Sequence, residues 1–170
     1  MEIHEIKLIN GGFKGLLCYI TEERKTPNGR KYIDKDWKEK NDPIHGKLDS
    51  PTKDLRKYLL DICGCLGDEA NQAAIDYNIA ETEITSIKME KTFFIFEGEK
   101  EWLNNKRFKL KTPKIESKDG YPNYDDVVKL IEEVKKQAII YMEGKAKITD
   151  EEAAVLKFLE KIGFNEASNQ

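Results

Sequence analysis

Apolar and polar positions along the chain change period several times, and each change marks an element. Ile3, Ile6, Leu8 and Ile9 alternate in part, which predicts a strand. Asn10-Gly11-Gly12 tolerates the positive φ of a tight hairpin turn, and Phe13 to Thr21 predicts the returning strand. Thr26-Pro27-Asn28-Gly29 is a second turn signal, with Pro setting φ and Gly able to take the left-handed position. The stretch RKYIDKDWKE then predicts a third strand, short and exposed on one side. Residues 1–39 therefore read as an antiparallel meander.

NDPIHGKLDSPT reads as a loop, with Ser50 expected as the cap of a helix and Pro51 in its first turn, where the missing N–H costs nothing. Leu55, Tyr58, Leu59, Ile62 and Leu66 recur at helical spacing, one buried stripe that Gly64 and Gly67 close. A further short helical turn is expected within 68–80. ETEITSIKMEKTFFIFEGEKEW returns to strand, with Ile84, Ser86 and Lys88 on one parity and Thr85, Ile87 and Met89 on the other. In NNKRFKLKTPKI, Phe108 and Leu110 alternate with Arg107, Lys109 and Lys111, a half-buried strand with one basic face. Pro113 ends that strand or marks it as an edge.

ESKDGYPNYDD has the composition of a linker, and two helical patterns follow it. The first has Val127, Leu130, Ile131, Val134, Ala138, Tyr141 and Met142 on one face and stops at Gly144. The second begins with Thr149 and Glu152 in a capping box and carries Val155, Phe158, Leu159 and Ile162. Their short connection predicts an antiparallel hairpin. The expected fold class is α+β: an antiparallel sheet of about five to seven strands, one packed helix and a C-terminal helical hairpin. The expected organisation is a β-rich body over 1–115 and a hairpin over 116–170, docked together as one domain. No internal repeat is visible.

Composition narrows the function. The chain has 170 residues, 29 basic against 32 acidic side chains and a net charge of −3, so bulk charge does not make it a nucleic-acid binder. The acidic excess sits in residues 116–170. No apolar run approaches the roughly 20 residues of a membrane span, so no membrane partner is expected. The chain opens without a charged start and apolar core, and its three cysteines suggest no paired framework. A cytoplasmic setting is the expectation, in a bacterium or in the host of a virus.

Cys63-Gly64-Cys65 has the chemistry of a thiolate pair, with His45 and Cys18 as candidate further ligands. Zinc pairs usually leave two to four residues between cysteines, and here there is one, so the pair reads as the end of a buried helix. No cofactor or metal is expected. His4 and His45 accompany no nucleophile elbow, zinc helix or phosphate loop, and no catalytic residue is assigned. Asp34 with Asp36 reads as solvated, while Asp125 with Asp126 complements a helix N-terminus.

The patch that stands out is basic. Lys106, Arg107, Lys109, Lys111 and Lys114 fall between Asn104 and Ile115 with no acidic residue among them. Trp102, Phe108, Phe93, Phe94 and Phe96 are close in sequence. Cations that follow phosphates and rings that stack on bases are how a sheet face holds single-stranded nucleic acid. The hairpin tip ERKTPNGRK adds more positive charge. The expected function is a non-enzymatic binding protein for single-stranded nucleic acid. The alternative is a protein–protein interaction module that inhibits another protein through the acidic C-terminal helices. The same residues would also suit a solvated sheet face with the rings turned into the core.

Ile3 and Ile6 at the start, Tyr19 in LLCYITEE, His45 and Leu48 before a helix, and IEEVKKQAIIYMEGK closing on Tyr141, Gly144 and Lys145 form a layout. It resembles small uncharacterised proteins encoded by bacteriophages. The resemblance covers the chain in outline and implies a setting, either DNA metabolism or the blocking of a host protein. It carries no catalytic residue across.

Overall fold

A computed structural model of the chain describes residues 1–101, 105–144 and 150–161. Trp102, Asn104, the Thr149 cap and Ile162 lie outside the described residues. The fold is α+β. The described strands form one antiparallel sheet: β1 (Glu2–Ile9), β2 (Gly15–Lys25), β3 (Lys31–Lys40), β4 (Thr82–Met89), β5 (Phe94–Glu101) and β6 (Arg107–Lys111), in the order β3-β2-β1-β4-β5-β6. The helices are α1 (Gly46–Ile62), α2 (Gln72–Ala80), α3 (Tyr124–Met142) and α4 (Asp150–Lys161).

Two meanders, β1-β2-β3 and β4-β5-β6, meet at the antiparallel pair β1–β4, with Ile6 opposite Ile87. Each meander is followed by a long helix, α1 and α3, so the element order repeats although the residues do not. Both turns foreseen in the first meander form. Asn10, Gly11 and Gly12 all take positive φ, and the Gly29 N–H bonds the Thr26 carbonyl at 2.9 Å.

One face of the sheet is covered. Ile3, Ile6, Leu16, Cys18, Ile20, Ile84, Ile87, Phe94 and Phe96 are buried there with Leu55 and Leu59 of α1 and Val127, Ile131 and Val134 of α3. The helix lies so close that a Cβ on Gly98 would stand 2.5 Å from the Leu59 side chain and from the Glu83 carbonyl. Register irregularities between Ile3 and Glu5, and between Ile84 and Ser86, reset the alternation. That is why Ile84 and Ile87, which sequence parity assigns to opposite faces, both reach the core.

The N-terminus of α1 differs from expectation. Its cap is His45, and Ser50 and Pro51 lie inside the helix. Pro51 is buried, and the neighbouring Thr52 hydroxyl donates to the Leu48 carbonyl at 2.8 Å. Burial of Leu48 and Pro51 outweighs the preference for Pro in the first turn. The helix does end where expected, with Cys63 as its cap and Gly64 at φ 72°. The segment with linker composition is tied to the body. Ile115 bridges Phe94, and the buried Tyr121 donates its hydroxyl to Asp61 at 2.5 Å. On α4, Val155 and Phe158 are 57% and 61% exposed.

Candidate functional site

The basic strand folds as β6, an edge strand, and its cations meet carboxylates. Register sets Lys111 opposite Glu97, Lys109 opposite Glu99 and Arg107 opposite Glu101. Arg107 bonds Glu83 at 2.8 Å and approaches Glu99 at 3.4 Å; Lys111 reaches Glu97 at 3.3 Å. Alternating opposite charges on adjacent strands cancel one another's field, so this side of the sheet offers little net pull on a polyanion. Lys106 is exposed just before the strand. Lys114 is exposed beyond it and sits over the Phe93 ring, 4.6 Å from the centroid.

The neighbouring aromatics divide. Phe94 and Phe96 are fully buried against the helices and Phe108 is half-buried on the same side, so none of them is a base platform. Phe93, in the turn before β5, is half-buried with Lys88 and Lys114 over its ring.

Aromatic rings do gather on the open face, at the other end of the sheet. Pairing aligns Trp37, Tyr19, Glu5, Lys88 and Ile95 in one row across five strands. Trp37 and Tyr19 have ring centroids 5.3 Å apart, and His4 lies 6.2 Å from Tyr19. Lys7 sits 4.8 Å from the Trp37 centroid. His4 is fixed between the Thr21 hydroxyl at 3.0 Å and Glu90 at 3.3 Å. His4, Tyr19 and Trp37 line a cleft of about 340 Å³ with Glu5, Lys88 and Glu90. The positions were individually legible as strand residues. Their convergence was not, because it depends on the register of four strands.

A second groove of about 650 Å³ runs between α1 and α3, with Lys53, Arg56, Lys57 and Lys129 beside Asp54 and Asp126. Lys53 is already bonded to Asp49 at 2.8 Å, and Tyr58 is the groove's one ring among the described residues. Its scarcer aromatic surface, among the described residues, makes it a weaker site for flat rings than the open face.

Cys63 and Cys65 lie half-buried where α1 ends. The Cys63 thiol contacts the Lys111 carbonyl at 3.7 Å, and burial, with Cys65 beside it, pushes its pKa up, which disfavours the thiolate that metals and redox chemistry need. Among the described residues no three His, Cys, Asp or Glu side chains are grouped to share a metal ion. Among the described residues no helix is long and apolar enough to cross a membrane.

No protein-family model, curated protein or solved structure matches the chain.

Proposed function

We propose that the protein binds single-stranded nucleic acid on the open face of its sheet. The reading moves the site from β6 to the cleft around Tyr19 and Trp37. The observation that carries it is the coincidence of uncovered sheet, rings and cations: Tyr19 and Trp37 in one row, with Lys7 over Trp37 and Lys88 in the same cleft. Rings take bases and the flanking amines take phosphates. Lys114 over Phe93 extends the same chemistry toward β5. The phage resemblance gives this reading its setting, DNA metabolism.

The test is a labelled oligonucleotide titration at two salt concentrations. Trp37→Ala and Tyr19→Ala should each weaken binding by roughly 1–3 kcal/mol with little change in salt slope, since stacking releases no counterions. Lys7→Gln with Lys88→Gln should make the slope shallower by about 0.7 for each phosphate no longer neutralised. No binding at low salt would remove the proposal.

A second reading rests on α4. A helical hairpin of α3 and α4 would present an acidic surface around Val155 and Phe158, both exposed, to a host or phage protein. Loss of partner capture on Phe158→Glu, with oligonucleotide binding absent, would favour it.

A further inference from the structure

The two edges of the sheet are not equivalent, and the long one has a self-complementary face. β3 runs for ten residues, and Lys31 to Glu39 are all exposed. Main-chain groups along such an edge are a template for another strand. Within it the Trp37 N–H is taken by the carboxylate of its own neighbour Asp36 at 2.8 Å, where an inner strand would use a main-chain carbonyl.

We propose that β3 pairs antiparallel with β3 of a second copy of this chain, with the two Trp37 residues opposite each other on the two-fold axis. An isologous contact requires a strand complementary to itself when reversed. The residues KYIDKDWKEK meet that condition in this register. Asp36 faces Lys38 of the second copy, Lys35 faces Glu39 and Asp34 faces Lys40, and symmetry makes every pair twice. The neighbouring registers fail on the axis itself: sliding one way sets Asp36 against Asp36, and sliding the other sets Lys38 against Lys38. Opposite charges directly across a strand pair attract, and like charges there repel, so the pattern selects one register.

Among the described residues, the ion pairs of the edge reach inward to β2, including Arg24 with Asp34 and Glu23 with Lys31. Lys38 also reaches Glu22 at 3.2 Å, a pair across the exposed hairpin that constrains it little. Lys40 donates to the Tyr141 carbonyl at 2.7 Å, so the two inner pairs, Asp36–Lys38 and Lys35–Glu39, carry the selection. Pairing would release the Trp37 N–H from Asp36 to a main-chain carbonyl. It would also join the two Tyr19–Trp37 rows into one aromatic stripe across the dimer. The dimer does not depend on the ligand proposed above.

The experiment is sedimentation equilibrium of the full chain over a concentration series, with circular dichroism to confirm folding. The wild type should show a monomer–dimer equilibrium. Asp36→Lys and Lys38→Asp should each weaken dimerisation by about tenfold or more, because each sets like charges opposite twice. The double variant should recover it. Mixing the two single variants should produce a heterodimer, since each introduced charge then faces its opposite on the other copy. A wild type that stays monomeric at every concentration overturns the proposal. So does a dimer indifferent to both reversals, or one that neither the double variant nor the mixture restores.

Discussion

The strands β3 and β6 close the same sheet at opposite edges and both are rich in Lys, yet their charges do different work. On β6, Arg107 and Lys111 are met from within the chain by Glu83, Glu97 and Glu99, and Lys109 lies opposite Glu99. The strand is five residues long, and short edges give little purchase to another chain. On β3 the charges alternate in sign along a strand twice that length, and β2 beneath it supplies only exposed partners such as Arg24 with Asp34 and Glu22 with Lys38. A run of like charge is not a patch until the facing strand is known. Read along the chain, Lys106 to Lys114 is a run of one sign; laid beside β5, its strand portion Arg107, Lys109 and Lys111 faces Glu101, Glu99 and Glu97, while Lys106 and Lys114 lie outside the ladder.

Both edges hang from one core, and the change that removes both at once has the largest expected effect. Ile131 on α3 is fully buried against that core. Ile131→Asp should lower unfolding free energy by about 4 kcal/mol or more in urea titration, because an unpaired carboxylate would replace packed apolar surface. A near-normal midpoint would mean that α3 is dispensable to the sheet.

The same shared core responds to pH. Cys18 lies opposite Lys38 on β2, fully buried, and burial pushes its thiol up from 9.0 to about 12. A raised pKa in the folded state means that folding favours the protonated form. That contribution is complete below pH 9 and is lost as pH rises toward 12. Tyr121 and Tyr141 add the same sign from pH 10 upward, since burial first raises both to about 12, and Tyr121 is raised further by the hydrogen bond that Asp61 accepts. Melting temperature should therefore fall through the alkaline range, and Cys18→Val should flatten the part of the fall nearest pH 9–10. An unchanged profile would show that Cys18 does not couple to folding.

The subtlest change sharpens the contrast by turning β6 into what its sequence suggested. Glu97→Gln with Glu99→Gln would free Lys111, Lys109 and part of Arg107 from their carboxylates. Oligonucleotide binding should then strengthen at low salt, with the slope steeper by about 0.7 for each phosphate newly neutralised. Stability should change by less than about 1 kcal/mol, as expected for exposed pairs. If affinity is unmoved, these carboxylates do not compete with phosphate for the strand.

The sequence by itself determined the elements. Asn10-Gly11-Gly12 and Thr26 to Gly29 set the first meander, because few residues accept the backbone those turns need. The helical stripes of α1 and α3 were legible for the same local reason, a 3.6-residue period written by burial on one side. Even so, local rules misplaced the start of α1, where burial of Leu48 and Pro51 prevailed, and the parity of β4, where a bulge moved Ile87 to the side of Ile84. Only the tertiary structure decided which residues meet. Tyr19 with Trp37, Arg107 with Glu83, and Ile6 with Ile87 are pairs between strands whose registers no short stretch encodes. A site built on a sheet is a property of those registers. A shift of one residue exchanges its two faces, so the face that carries function could be seen only after the strands were aligned.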